Sequence, residues 1–480
     1  MATKRDQLQA YQFLVQRVVS ALIIRESDPE QPPFRRPMAG AIGSMALAVL
    51  VLAGFGVFGL IAPGGKNAWR DGESIVVEKE TGTRFVYLDG RLHPVTNYVS
   101  ALLALNKHAP LMNVSRNSLA GVTRGPRIGI ADAPDSLPGP NGVLASGWSI
   151  CSAPGKDEAG ATVAESVLMV GRQPVSARQV DADALLVAVE RTADQYLLWN
   201  GYRHRIDASD TVALGLALRS VPRATVAAEL LDTLPVGEAL KPIRLADLGK
   251  QSHAVASQPG LRIGQLMVLS ASGGSPQYYL VERDRLRPIS PLQYEVQLAF
   301  APTEKAYGGR QPVGVPLGLI EAGRANVAAT SPGSPGQLPS TRPGFVAPGD
   351  SGTALCAMFD PGQAVPRLAV DVVLPPKDDR TATPASTSRG TRLADRVVVP
   401  PGQVALVETM QATATPAPAV GLVSDLGVYY PLAGPELLGA LGYAGVQPVR
   451  MPAGLVARIP AGDGLDAEAA RQPILNATSR

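Results

Sequence analysis

RFVYLDGRLHPVTNYVSALLAL, residues 84–105, decides the fold of this chain, because its pattern returns three more times. The other copies are YLLWNGYRHRIDASDTVALGLAL at 196–218, YLVERDRLRPISPLQYEVQLAF at 279–300 and LVSDLGVYYPLAGPELLGALGY at 422–443. Three aligned positions carry the pattern. The first holds Gly90, Gly201, Asp284 and Gly427, and the second holds His93, His204, Arg287 and Tyr430. The third holds Val95, Ile206, Ile289 and Leu432. One unit repeated in this way predicts a repeat protein.

Each copy predicts a three-stranded meander followed by a helix. Apolar strands precede the copies at 75–77, 185–189, 266–269 and 404–407. A second strand ends at an Asp-Gly, Asn-Gly or Arg-Asp turn, which reverses the chain into a short third strand. Thr96, Asp207 or Ser290 then caps the helix, and Gly434-Pro435-Glu436 takes this place in the fourth copy. Units of about 60 residues usually need neighbours for stability.

Residues 39–62 form an uncharged apolar stretch in which Ser44 is the only polar side chain. A helix of that length covers about 36 Å, enough to span the hydrocarbon layer of a bilayer. A buried core helix and a cleaved signal peptide are the alternatives. The uniform apolarity disfavours the first, while the long charged region before the stretch and the missing cleavage site disfavour the second. We therefore predict one transmembrane helix.

The flanks of this helix predict its orientation and a second helix. Arg35 and Arg36 precede the span, and basic flanks stay in the cytoplasm, so residues 63–480 are expected in the periplasm. Residues 7–24 predict an amphipathic helix whose apolar face carries Leu8, Tyr11, Val15, Val18, Val19 and Leu22. It either lies on the membrane surface or docks onto a cytoplasmic partner, and the second is favoured because no domain of its own accompanies it.

The overall composition excludes several classes of protein. The 480 residues include 49 Gly and 43 Pro, about a fifth of the chain, which is well above the average. Hydrophobic residues make up 45%, too many for a disordered chain. The formal net charge of +3 is too small for a nucleic-acid-binding surface, and two Cys and four His leave little for a zinc site. A folded, turn-rich protein is predicted.

Two Pro/Gly-rich stretches, 127–183 and 327–400, separate the repeats, and each contains one of the two cysteines. Outside the cytoplasm Cys151 and Cys356 are expected to form a disulfide, although two buried free thiols are an alternative. Such a bond closes a loop of about 200 residues and would stabilise the fold by about 5 kcal/mol. We therefore expect the two stretches to form one central domain, with a mobile loop at 375–391.

The sequence contains no recognisable catalytic constellation. Gly349-Asp350-Ser351-Gly352 is similar to the nucleophile segment of chymotrypsin-type proteases, but no histidine is positioned as its base. His93 and His204 occupy equivalent repeat positions, which indicates packing or surface roles. The Gly-Lys pairs at 65–66, 155–156 and 249–250 are followed by Asn, Asp or Gln, so the P-loop hydroxyl is missing. No catalytic residue and no metal ligand is therefore predicted.

Taken together, these features resemble the EccB family, the single-pass membrane subunits of actinobacterial type VII (ESX) secretion systems. The resemblance covers essentially the whole chain. It rests on TKRDQLQAYQFLVQRVVSAL at the start, DPEQPPFRRPMAG before the span, the four repeats and the two cysteines. It implies that Cys151 and Cys356 are the family's cysteine pair. It also implies self-pairing in the periplasm and assembly with the EccC ATPase, EccD, EccE and the mycosin protease.

The predicted fold is of the α+β class, with four β-meander-plus-helix repeats around a mainly β central domain. The expected divisions are a cytoplasmic segment, the membrane helix, repeats 1 to 4, two central parts and a tail. The cytoplasmic segment is 1–38, the membrane helix is 39–62 and the tail is 466–480. Repeats 1 to 4 are 63–126, 184–250, 251–326 and 401–465, and the two central parts are 127–183 and 327–400.

Two functions from different classes remain open at this point. The first is a scaffold that assembles a secretion complex in the inner membrane, with no cofactor. The second is a membrane ATPase with ATP as its cofactor, an activity that the resemblance implies for some members but that the missing P-loop disfavours. A peptidoglycan-binding anchor is a third possibility without a sequence signature.

Overall fold

The structure is a computed structural model, and it describes residues 3–23, 25, 35–61, 67–157, 159–174, 177–270, 274–329, 333–347, 353–410 and 419–474. The chain separates into two compact units. The first comprises Met1–Arg70, Glu78–Thr81 and Asn113–Val122, and the second comprises Asp71–Val77, Gly82–Met112 and Thr123–Arg480.

The first unit contains two long helices. Helix α1 spans Lys4–Ile23, and the apolar side chains predicted for its face are exposed except Val19, which is partly buried. Helix α2 spans Arg35–Ile61. Its segment Met38–Phe55 is long and apolar enough to cross a membrane and has no residue buried against the rest of the chain. Among the described residues it is the one candidate span, in agreement with the predicted position. The proline-rich segment between the helices lies outside the described residues.

Repeat 1 is a four-stranded sheet with two helices, in the spatial order β3-β2-β1-β4. Its elements are β1 Ile75–Glu78, β2 Arg84–Leu88, β3 Arg91–Pro94, α3 Tyr98–Leu105, β4 Leu111–Val114 and α4 Arg116–Leu119. Asp89 and Gly90 both have positive φ, 49° and 77°, as a type I′ hairpin turn requires. The cap of α3 is Asn97, whose side chain accepts a hydrogen bond from the Ser100 N–H, rather than the expected Thr96.

The first central stretch supplies three strands, β5 Trp148–Lys156, β6 Thr162–Met169 and β7 Arg178–Gln179. Strands β5 and β6 form a long antiparallel pair from Ser149↔Met169 to Lys156↔Thr162. Strand β7 joins the same sheet at its far edge. The central stretch is therefore strand-forming, as its mainly β assignment predicted.

Repeats 2 and 3 have the architecture of repeat 1, with strand orders β10-β9-β8-β11 and β14-β13-β12-β15. Repeat 2 contains β8 Leu185–Val189, β9 Gln195–Trp199, β10 Tyr202–Arg205, α5 Ser209–Gly215, β11 Arg223–Val226 and α6 Ala228–Thr233. Repeat 3 contains β12 Leu266–Leu269, β13 Gln277–Val281, β14 Leu286–Ile289, α7 Pro291–Leu298, β15 Gly314–Pro316 and α8 Leu319–Arg324. Ser290 caps α7 as expected, whereas the residue before α5 is Ala208 in the left-handed region.

The second central stretch completes the sheet with β16 Ala354–Phe359, β17 Arg367–Val372 and β18 Arg396–Val398. The six strands lie in the order β18-β6-β5-β16-β17-β7. The two central stretches thus meet at β5 and β16, which are antiparallel neighbours. Residues 375–391, expected to be a mobile loop, contain one short 3₁₀ turn and make two isolated antiparallel bridges to the residues that follow, Ala382↔Arg396 and Ser386↔Arg392.

Repeat 4 repeats the order β21-β20-β19-β22. Its elements are β19 Ala405–Met410, β20 Val420–Val423, β21 Tyr429–Pro431, α9 Leu437–Ala440, β22 Val449–Pro452 and α10 Ala453–Val456. Helix α11, Ala467–Arg471, follows in the expected tail and packs on α3, where Arg471 Nε donates to the Ala104 carbonyl at 2.8 Å. Further 3₁₀ turns lie at Ala68–Asp71, Pro140–Gly142, Leu218–Ser220, Ala301–Tyr307 and Asp379–Thr381.

Every repeat has a fourth strand that the sequence did not predict. It follows the helix and pairs in parallel with the first strand, for example Arg223↔Leu186 in repeat 2 and Val449↔Val407 in repeat 4. The segment after the next helix then makes a parallel bridge to the third strand, as in Leu92↔Arg124 and Tyr429↔Ala461. The repeat is therefore larger than a meander plus one helix. The α+β class predicted from the sequence is confirmed.

The repeats pack in two pairs around the central sheet. Repeats 1 and 4 share one core, in which Leu102 and Leu103 of α3 meet Leu437 and Leu438 of repeat 4. Repeats 2 and 3 share another, in which α5 contacts α7. One face of the central sheet, which includes Trp148, packs against repeats 2 and 4.

Candidate functional site

The two cysteines lie at the centre of the six-stranded sheet. Cys151 of β5 and Cys356 of β16 are direct cross-strand partners, and the structure joins them by a disulfide with an S–S distance of 2.01 Å and a Cα–Cα distance of 4.0 Å. Both are fully buried in a small cluster with Val167, Met169 and Met358. Because side chains alternate along a strand, this cluster lies on the opposite face from Ile150, which faces repeats 2 and 4.

The histidines singled out by the repeat alignment are packing residues. His93 Nδ1 lies 3.1 Å from the Pro126 carbonyl, and His204 Nδ1 lies 2.8 Å from the Glu238 carbonyl. A Cβ added to Gly125 would lie 2.2 Å from the His93 ring, and one added to Gly237 would lie 2.4 Å from the His204 ring. Each ring therefore occupies the space left by a glycine.

Tyr430 at the equivalent position of repeat 4 is arranged in the same way, since a Cβ on Gly462 would lie 2.4 Å from its ring. The sequence signal for this packing is a glycine about 32 residues after the aligned position. His204 is fully buried, and burial lowers its pKa. Gly349-Asp350-Ser351-Gly352 lies outside the described residues.

The sequence motifs did not predict a charged cluster that is centred on Asp232. The carboxylate of Asp232, at the end of α6, forms three ion pairs. Its oxygens lie 3.4 Å from a guanidinium nitrogen of Arg203 in repeat 2, 3.0 Å from one of Arg392 in the central stretch and 3.5 Å from one of Arg458 in repeat 4. Burial raises the pKa of the neighbouring Glu229 and lowers that of Arg458. Three guanidinium groups from three parts of the chain thus share one carboxylate, which ties repeats 2 and 4 to the central domain.

A polar cleft of ≈ 940 Å³ opens between repeats 2 and 3. Lys241, Arg244 and Arg287 line it together with Asp207 and Glu238. Within the part of the chain that the structure describes, no group of three His, Cys, Asp or Glu side chains is placed to hold a metal ion. The residues of the cleft offer ionic and hydrogen-bonding contacts, while the fully buried disulfide cross-links the two halves of the central sheet.

Comparisons with known proteins agree with this architecture. The family model for "Type VII secretion system ESX-1, transport TM domain B" matches residues 1–474. The ESX-3 secretion system ATPase EccB3 of Mycolicibacterium smegmatis is 26% identical over 475 residues, which cover 96% of this chain and 89% of that protein.

Two solved structures share the fold. A chain of the EccB3 dimer from the ESX-3 core complex gives a TM-score of 0.61 at 25% identity, covering 83% of this chain and 99% of that one. A chain of an intact ESX-5 inner membrane complex gives 0.63 at 22% identity, covering 100% and 97%. The resemblance drawn from the sequence is confirmed. The chain belongs to the EccB family, the membrane components of type VII secretion systems.

Proposed function

We propose that this chain is a structural subunit that scaffolds a type VII secretion complex in the inner membrane. The observation that carries the proposal is the apolar helix α2, which has none of the residues of Met38–Phe55 buried against its own chain. It is joined to repeats whose fold is shared with a subunit of the EccB3 dimer. The membrane anchor continues into an array of repeats, and the described residues contain no metal-binding cluster. This arrangement suits the assembly of a complex better than catalysis.

The proposed topology places the N-terminal segment in the cytoplasm and residues 63–480 in the periplasm. The basic residues before α2 support this orientation through the positive-inside rule. Oxidation of Cys151 and Cys356 suits an exported domain, since cytoplasmic thiols are kept reduced. Within the exported part, the predicted divisions into four repeats and two central stretches are retained as our assignment.

The proposed partners are a second copy of this chain, the EccC ATPase, EccD, EccE and the mycosin protease, with lipid around α2. Nucleic acid is not among them, given the net charge of +3. The exposed apolar face of α1, with Leu8, Tyr11 and Leu22, suits docking onto a cytoplasmic partner subunit.

Native-gel analysis of mildly solubilised membranes tests the proposal, with the proteins that co-purify with the tagged chain identified by mass spectrometry. The expected result is a large complex that contains the other secretion subunits. Tyr11→Glu on the α1 face should release cytoplasmic partners, while Gln9→Glu, on an exposed position outside that face, is the matched control. A partner-free monomer of 50.0 kDa would refute the scaffold.

A second candidate function is ATP hydrolysis, which the name of the relative EccB3 favours. If it is real, the three cations of the cleft between repeats 2 and 3 are the described side chains best placed to receive phosphates. The test is ATP turnover by the purified full chain, compared with Lys241→Ala and with Lys250→Ala, an exposed lysine paired with Asp247. The scaffold proposal expects no turnover above background in any of the three. Saturable turnover lost only in Lys241→Ala would replace it.

A further inference from the structure

The four repeats differ in what pairs with the end of their third strand. In every repeat the outer edge of this strand makes one parallel bridge, which is Leu286↔Val327 in repeat 3. The other repeats make a second parallel bridge further along, Val95↔Ile128, Ile206↔Leu240 and Leu432↔Leu465. Among the described residues repeat 3 has no such second bridge, so the end of β14 at Ile289 has an open edge.

The second bridge pairs two backbone groups that repeat 3 leaves unpaired. In repeat 2 the Asp207 N–H donates to the Leu240 carbonyl at 3.0 Å, and the Leu240 N–H donates to the Arg205 carbonyl at 2.8 Å. The equivalent groups of repeat 3 are the Ser290 N–H and the Pro288 carbonyl, and neither has a backbone partner in the part of the chain that the structure describes. Backbone groups at an open strand edge can pair with an added strand.

The second bridge also buries an aliphatic side chain in each of the other repeats. Ile128, Leu240 and Leu465 are 2% exposed or less. Counting from the first bridge, the equivalent position of repeat 3 is Ser331, which lies outside the described residues. Serine does not supply the apolar surface whose burial stabilises the other three bridges. The sequence of repeat 3 therefore lacks the residue that closes this edge elsewhere.

The open edge faces the cleft of ≈ 940 Å³ between repeats 2 and 3. Pro288, Ile289 and Ser290 line the cleft on the side of repeat 3. Ile243 and Leu338 add apolar residues to its lining. An extended segment that paired with the edge would therefore lie inside the cleft, with apolar residues beside it.

The charges of the cleft favour an acidic segment. Its lining holds three cations and two carboxylates, which are Lys241, Arg244 and Arg287, and Asp207 and Glu238. Lys241 and Arg244 form no ion pair among the described side chains, whereas Asp207 is already paired with Arg205 at 3.2 Å. The cleft thus has an excess of positive charge, which is complementary to carboxylates on an occupant.

We propose that this open edge is a binding slot for an extended peptide of another polypeptide. The peptide pairs in parallel with β14 at Pro288 and Ser290, and it seats one aliphatic side chain where the other repeats bury their own. Acidic residues beside that side chain face Lys241 and Arg244. In this mode of recognition the main-chain hydrogen bonds give affinity and the side-chain pockets give specificity. The inference goes beyond the proposed function, because such a slot binds a peptide whether or not the chain scaffolds a complex.

Repeat 4 supplies a probe for the slot. Its own closing segment, PAGDGLDAE at 460–468, places an aliphatic residue between acidic ones. The probe is a fluorescent synthetic peptide of this sequence, and the matched control peptide has serine in place of Leu465. Fluorescence polarisation with the full-length chain in mild detergent should show saturable binding of the probe. The control should bind at least about tenfold more weakly, because it cannot bury a leucine side chain.

A pair of protein variants tests whether the peptide lies in the cleft. Lys241→Glu should weaken binding of the probe about fivefold, and the effect should decrease as salt is added. Lys305→Glu, at an exposed position of repeat 3 that does not line the cleft, is the matched control and should leave binding unchanged.

The other outcomes overturn the proposal. Equal binding of the probe and the serine control would show that the cleft holds an anion and seats no aliphatic side chain. Binding that is unaffected by Lys241→Glu would place the peptide elsewhere on the chain. No binding up to about 1 mM peptide would show that another polypeptide does not occupy the slot. The complex expected on native gels is independent of all three results, so the scaffold is tested separately.

Discussion

The disulfide between Cys151 and Cys356 gives the largest stability effect that can be worked out from this structure. The bonded residues are 205 positions apart in sequence. In the chain-entropy model, closing a loop of that length in the unfolded state stabilises the fold by about 5 kcal/mol. Replacing a fully buried cysteine by alanine also removes one sulfur atom, which adds about 1 kcal/mol for the lost packing.

The effect of the bond can be separated from the effect of packing by comparing single and double variants. Cys151→Ala and Cys356→Ala each break the same bond, so each should lose about 5 to 6 kcal/mol. The double variant should lose only about 1 kcal/mol more than either single one. If the losses arose from packing, the double variant would lose the sum of the two.

Urea unfolding of the full chain in mild detergent measures these losses. Tryptophan fluorescence is a suitable signal because Trp148 is fully buried and pairs with Phe359 in the strands that carry the cysteines. Wild-type protein unfolded with reductant keeps both sulfur atoms, so it should lose about 1 kcal/mol less than the single variants. A loss below about 1 kcal/mol, or additive losses, would show that the sheet holds β5 and β16 together without help from the bond.

Three further predictions concern the packing and the ion pairs of repeat 2. Burial lowers the pKa of His204, so the unfolded chain binds a proton more readily than the folded chain. The free energy of unfolding should therefore fall as the pH drops from about 6.5 towards the lowered pKa. Unfolding curves of His204→Phe should lose this pH dependence, and those of His253→Gln, at an exposed site, should keep it. Asp232→Asn should cost about 2 kcal/mol, because it removes the carboxylate that pairs with Arg203, Arg392 and Arg458 and leaves only Glu229 beside Arg392. An unchanged urea midpoint would contradict this. Gly237→Ala should cost about 1–3 kcal/mol through overpacking against His204, and His204→Ala should relieve most of that cost in the double variant.

The elements that the sequence predicted correctly are encoded by local chemistry. Strand spans such as Leu185–Val189 and Leu266–Leu269 are runs of apolar residues, and the structure has them with the predicted bounds. The hairpins of repeats 1 and 2 turn at Asp89-Gly90 and Asn200-Gly201, all at positive φ. Because these φ values suit few residue types, a dipeptide is enough to predict the turn.

The fourth strand of each repeat could not be predicted in the same way. Its copies, LMNV, RATV, GVP and VRMP, are three or four residues long and share neither alternation nor composition. They are strands because the adjacent first strand offers backbone partners in parallel, which is a tertiary effect. The helix caps show a similar limit, since Thr96 and Asn97 are both good caps and only the geometry selects Asn97.

Which repeats pair with each other is also determined by tertiary packing and could not be predicted from local sequence. The order of these contacts along the chain explains the position of the disulfide. Repeats 2 and 3 form the innermost pair, β5 and β16 the next, and repeats 1 and 4 the outermost, so the contacts are nested. Loop-closure entropy grows with the number of free residues between two contacts. Packing repeat 2 on repeat 3 therefore lowers the cost of bringing β5 to β16, and the Cys151–Cys356 bond then holds the middle contact closed. Repeats 1 and 4 can then pair at a lower entropic cost, because the β5–β16 contact already holds the segments that lead to them close together. One disulfide between β5 and β16 therefore stabilises the arrangement of all four repeats.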